Sequence, residues 1–96
     1  MKYGLKGLLD EAKPYLERAL QYAKAYRRLY LKLLFYQMLY FPKQYKQAKE
    51  EFDRAFDPCY APIDLDLSLH IENAIKIQHP EIERLKEYAR KISESK

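Results

Sequence analysis

The residues Leu5, Leu8, Ala12, Tyr15, Ala19, Tyr22, Tyr26, Leu29, Leu33, Tyr36 and Tyr40 follow one another in alternating steps of three and four, and each is apolar or aromatic. That spacing is the a/d pattern of a heptad repeat. It lays one apolar seam along a single helix face, because steps of three and four both come close to a whole turn. No other stretch constrains the fold as strongly.

Composition points the same way. The chain contains no Val, Thr or Trp, and Ile is its only β-branched residue. Leu, Ala, Lys, Glu and Arg favour helix, while Tyr is nearer neutral there. Gly4 and Gly7 are the only glycines, so turns that need positive φ are scarce. The expected class is all-α: one small helical bundle over 1–96, built on a long heptad-patterned helix with two or three shorter helices. A chain of 96 residues buries only roughly 60–65% of its unfolded surface. Association with a second copy is one way to add stability.

The long helix is expected over 14–41, after an N-terminal extension or short helix at 1–13. Pro14 lies off the seam. Proline removes a backbone hydrogen bond and clashes with the carbonyl four residues back. Either the helix begins there, with proline at its favoured first position, or a short helix over 5–13 joins it at a kink. The unbroken phase across Pro14 favours the kink. The helix would be roughly 40 Å long at about 1.5 Å per residue. Glu17, Arg18, Gln21, Lys24, Arg27 and Arg28 sit off the seam, but from Leu29 to Phe41 only Lys32 and Gln37 interrupt the apolar run. A helix that is apolar all round is buried on several sides. Two readings follow: a subunit interface at Tyr22, Tyr26, Leu29, Leu33, Tyr36 and Tyr40, or a cover supplied by the later helices. A helix lying in a membrane surface is the weaker third, since the charged face is not opposite the apolar one at the C-terminal end.

Phe41-Pro42 stops the helix, because the residue before proline avoids the α region. A second helix is expected over 43–56, with Tyr45, Ala48, Phe52, Ala55 and Phe56 on one face. Together with Asp57-Pro58, these residues resemble the second helix of a tetratricopeptide repeat, which implies a helical hairpin with the helix that ends at Tyr40. The chain departs from that family where a small residue is expected and Phe35 or Tyr36 stands. It shows no second copy, and such repeats need neighbours. The likeness therefore reads as convergence on a hairpin.

The segment 63–78 supports two readings. Ile63, Leu65, Leu67, Leu69 and Ile71 alternate with polar residues, as in a strand, and Glu72-Asn73 offers a turn to a short β-hairpin. The filler is Leu rather than Val or Thr, and a lone hairpin is barely stable. Helix is preferred, with Asp64 as its N-cap and Ile63, Leu67, Ile71, Ala74 and Ile75 on one side. A last helix over 80–95 opens with Pro80 at its first position and Glu81 and Glu83 in its first turn. Ile82, Leu85, Ala89 and Ile92 form its seam.

No catalytic signature is present. Two glycines cannot build a nucleotide-binding loop. Ser68, Ser93 and Ser95 have neither a glycine elbow nor a placed base. His70, Glu72 and Asp66 match no metal-ligand spacing. Cys59 is the single cysteine, which excludes an internal disulfide and a thiolate zinc cage. No enzyme, cofactor, metal or small-molecule substrate is expected. The early residues lack the apolar core of a secretory leader, and no run of about 20 apolar residues exists to span a membrane. An intracellular, cytoplasmic protein is the expectation. The wealth of Tyr, Lys and Glu, with one Cys and one Asn, resembles heat-adapted composition.

Charge is unevenly spread. Residues 1–46 carry ten Lys/Arg against three acids, or +7, and residues 47–96 carry eight against eleven, or −3. Such asymmetry suits self-complementary assembly or a polyanion partner. Arg18, Lys24, Arg27, Arg28 and Lys32 are the polyanion candidates, flanked by Tyr22, Tyr26 and Tyr30, since cations contact phosphates and exposed Tyr stacks on bases. The leading expectation is a structural or adaptor protein that forms homo-oligomers through the tyrosine-rich helix. The alternative is a nucleic-acid-binding protein without sequence preference.

Overall fold

The computed structural model describes residues 5–95. Residues 1–4 of the expected 1–13 extension or short helix, the side chains of Leu5 and Leu8 at the start of the seam, and Lys96 lie outside the described residues. Five α-helices are present among them: α1 (Leu5–Ala23), α2 (Arg27–Tyr40), α3 (Tyr45–Ala55), α4 (Leu67–Lys76) and α5 (Ile82–Glu94). Short 3-10 turns at Pro42–Gln44 and Pro58–Tyr60 precede α3 and follow it.

The all-α class holds, but the single rod over 14–41 does not. Helix α1 runs through Pro14 from Leu5. The chain then breaks at 24–26, where Tyr26 takes an extended backbone (φ −124°, ψ 90°). Helix α2 turns back along α1. One end of the pair brings Leu20 and Lys24 beside Tyr30 and Leu34, and the other brings Leu9, Asp10 and Lys13 beside Tyr40, Phe41 and Pro42. No Gly or Pro marks the break; burial drives it. Interrupting a helix forgoes about 1 kcal/mol net per hydrogen bond, whereas each buried Leu contributes roughly 1.5–3 kcal/mol. The fold-back places Leu20 in the same core cluster as Leu31, Leu34 and Phe35, and it buries Ala23 fully.

Helix α2 is the central element. Leu31, Phe35, Met38 and Leu39 are each 0% exposed, and α1, α3 and α4 all pack on it. The expected cover by later helices is therefore what α2 receives. From α3, Phe52 meets Phe35 at 6.2 Å between ring centroids, and the Tyr88 ring of α5 stands edge-on to Phe52 at 5.5 Å. Leu85, Ala89 and Ile92 of α5 are buried. Helix α5 begins at Ile82, two residues later than Pro80 suggested.

In the segment 63–78 the structure has α4 and no strand. Its cap is Asp66, whose Oδ1 accepts from the Leu69 N–H at 3.2 Å, not Asp64. Because the helix starts late, the expected face is partly reversed: Leu65 is buried, while Ile63 and Ile75 are exposed.

His79 ties two helix ends together. It is buried, its Nε2 lies 2.7 Å from the Met38 carbonyl, and its Nδ1 accepts from the Glu81 N–H at 3.0 Å. Since Nδ1 accepts, Nε2 carries the proton and donates to Met38, one of the last carbonyls of α2, which have no helical partner of their own. Burial, chiefly, pushes the His79 pKa below its ordinary value. Gln78, just before it, sits at φ 57°, in the left-handed region that favours glycine after a helix end.

Candidate interaction surface

Helix α1 carries two apolar stripes. The inner one, with Leu16, Leu20 and Ala23, faces α2. The outer one is the heptad seam. Tyr15 is 71% exposed and Tyr22 79%, with Ala12 exposed and Ala19 half-buried between them. At the hairpin tip Tyr26 is 67% exposed, and the exposed Leu29 and Tyr60 line the same open groove.

The six expected interface residues therefore divide. Tyr22, Tyr26 and Leu29 face outward. Leu33, Tyr36 and Tyr40 are half-buried against the core. Tyr36 and Tyr40 pack on the His70 ring of α4, at 5.0 and 5.8 Å between centroids. The Tyr40 hydroxyl accepts from Asn73 Nδ2 at 3.1 Å, which leaves its own proton to reach His70 Nδ1 at 2.6 Å. Burial, chiefly, raises the Tyr40 pKa and lowers that of His70. Tyr30 is also engaged: its hydroxyl donates to Glu51 at 2.6 Å, and burial together with that bond pushes its pKa up to about 12. Tyr15, absent from the expected set, belongs with Tyr22; its place in the same heptad seam is the signal that finds it.

The five basic candidates do not form one patch. Arg18 lies exposed on α1. Lys24 lines a polar cleft between α1, α2 and α3, with Glu17, Gln37, Gln44 and Glu51. Arg27, Arg28 and Lys32 meet the loop that follows α3. Arg28 donates to the Cys59 carbonyl at 3.0 Å, Lys32 pairs with Asp64 at 3.2 Å, and Arg27 lies 3.9 Å from Asp57 and over the Tyr60 ring. The Lys32 ammonium, donating to Asp64, holds that carboxyl below its ordinary range. These three cations fasten a loop as well as facing solvent, and two acids offset part of their charge. Arg27 and Arg28 nevertheless remain exposed beside Tyr26, Leu29 and Tyr60 in an open groove.

Among the described residues, no group of three or more His, Cys, Asp or Glu gathers to hold a metal, and no helix is long and apolar enough to cross a membrane. Comparison with protein-family models, curated proteins and solved structures returned no match.

Proposed function

We propose that this chain is a non-enzymatic helical module that associates with copies of itself through the outer face of α1, in a structural or adaptor role. One observation carries the reading: Tyr15 and Tyr22 lie one heptad apart on a two-faced helix whose other apolar side is already used, and both are more than two-thirds exposed. Scattered exposed aromatics need no explanation, but a periodic exposed stripe marks a contact surface. Tyr suits such a surface, since it offers large area, few rotatable bonds and a hydroxyl that stays wet at the rim.

Sedimentation equilibrium across micromolar concentrations tests it. The wild-type chain should exceed monomer mass, and Tyr15→Glu with Tyr22→Glu should return it to monomer. A wild-type monomer at the highest concentrations contradicts the reading.

A second reading has its own support, the exposed Arg27 and Arg28 beside Tyr26 and Tyr60. It takes the hairpin tip as a nucleic-acid contact without sequence preference, with Arg18 as an outlying cation. Gel shift in rising salt tests it. Binding at low salt that weakens steeply with salt, and that Arg27→Glu with Arg28→Glu abolishes, supports it. No binding at low salt removes it.

A further inference from the structure

We propose that two copies pair antiparallel through α1, in the register that sets Ala12 against the partner's Tyr22 and Tyr15 against the partner's Ala19. This deepens the self-association reading above and rests on it. Side-chain size sets the orientation. Along the outer seam of α1 the residues alternate small and large: Ala12, Tyr15, Ala19, Tyr22. A parallel pair would stack like on like. Ala12 would face Ala12 and Tyr15 would face Tyr15, so the helices would be held too far apart at one layer to touch at the next. Close packing disfavours such gaps. In an antiparallel pair the a positions face d positions, and every layer can combine one Ala with one Tyr.

Only one antiparallel register does this for both tyrosines. Sliding one heptad in one direction sets Tyr22 against Leu5; sliding the other way sets Tyr15 against Tyr26, beyond the end of α1. In the favoured register the two-fold axis passes at the level of Glu17.

The helix dipoles support the same orientation. An antiparallel pair opposes the two helix dipoles favourably, as a parallel pair does not. Charge along α1 is balanced and does not choose between orientations: residues 5–14 hold Asp10 and Glu11 against Lys6 and Lys13, and residues 15–23 hold Glu17 against Arg18. The two Arg18 side chains approach one another beside the axis, which is the one unfavourable contact. The inner stripe of each α1, about a quarter-turn around the helix from the outer one at about 3.6 residues per turn, stays on its own α2, so pairing leaves that packing intact. One helix face per copy buries little, below about 1,200 Å² in total, and the association is accordingly weak and concentration-dependent.

Cross-linking with a short bis-maleimide tests the register. Two single-cysteine proteins are made in a Cys59→Ser background, because Cys59 is exposed. Arg18→Cys lies beside the proposed axis, so it should cross-link to its own counterpart and run at dimer mass. Ala12→Cys lies roughly 15 Å along the axis from its counterpart at about 1.5 Å per residue, so it should remain monomeric. Self-cross-linking of Ala12→Cys without Arg18→Cys means a parallel pair and overturns the register. A wild-type dimer in sedimentation with neither variant cross-linking puts the contact on another face and overturns it too. A wild-type monomer in sedimentation removes the self-association reading itself.

Discussion

Helices α1 and α2 carry two halves of one heptad seam and put it to opposite uses. In α1 the seam points outward: Tyr15 and Tyr22 stand in solvent while Leu16, Leu20 and Ala23 turn in. In α2 the first seam residue, Leu29, stays exposed, but Leu33, Tyr36 and Tyr40 are drawn against the core, and the off-seam residues Leu31, Leu34, Phe35 and Met38 form its centre. The same repeat thus specifies a face without specifying what covers it. The difference lies in the residues off the seam. In α2, from Leu29 onward, they are apolar apart from Lys32 and Gln37, and three helices close over them. In α1 they are charged on one side, so only one inner stripe is enclosed.

That contrast can be broken most forcefully in α2. Phe35→Ala empties the centre of the core and should cost about 3–5 kcal/mol, read as a fall in the denaturation midpoint. Tyr22→Ala on α1 should change the stability of the dilute chain by less than about 0.5 kcal/mol. Equal costs at the two positions would deny that the halves differ.

His79→Ala is next in size. It leaves the Met38 carbonyl and the Glu81 N–H without their partner, and each such loss is worth about 1–3 kcal/mol. The damage should fall at the C-terminal end of α2, and hydrogen exchange would show it there before it shows in α1.

A pH titration probes the same end. Burial holds the folded-state pKa of both His79 and His70 below the ordinary value of 6.5. As pH falls through 6.5 the unfolded chain binds protons that the folded chain refuses. Stability is therefore full above that pH and lost below it. The melting temperature should drop between pH 7 and pH 5, and replacing both histidines by Gln should flatten the drop. The Asp64 carboxyl, held low by Lys32, adds a separate loss as pH falls below its ordinary value of 3.8.

A small effect of opposite sign is expected at Gln78. A non-glycine residue in the left-handed region costs about 1–2 kcal/mol. Gln78→Gly removes that cost and adds unfolded-state freedom, for a net gain of up to about 1 kcal/mol, visible as a small rise in melting temperature.

Some of this was legible in the sequence. The faces of α3 and α5 follow their periodicity: Tyr45, Ala48 and Phe52, and Leu85, Ala89 and Ile92, are buried as spaced. Pro42 marks the end of α2 because the chain before a proline resists the helix. The break at 24–26 was not legible, since Lys24, Ala25 and Tyr26 carry no local signal against helix. It exists because folding back buries Leu20 and Ala23, a tertiary gain that no window of neighbours contains. The fate of the basic residues was hidden for a similar reason. Lys32 and Arg28 meet Asp64 and the Cys59 carbonyl across 32 and 31 positions of chain, and charge counting sees the cations without their partners. Asp64 reads as the cap because it opens the segment, and the later start of α4 gives that role to Asp66 instead.

We propose that the outer tyrosines of α1 serve assembly, while Tyr36 and Tyr40 of α2 pack against the core. Tyrosine-specific chemical footprinting at low and at high protein concentration measures this directly. Tyr15 and Tyr22 should react readily in dilute solution and become protected as concentration rises, while Tyr36 and Tyr40 stay equally protected throughout. Unchanged reactivity at Tyr15 and Tyr22 up to the highest concentration would contradict the claim.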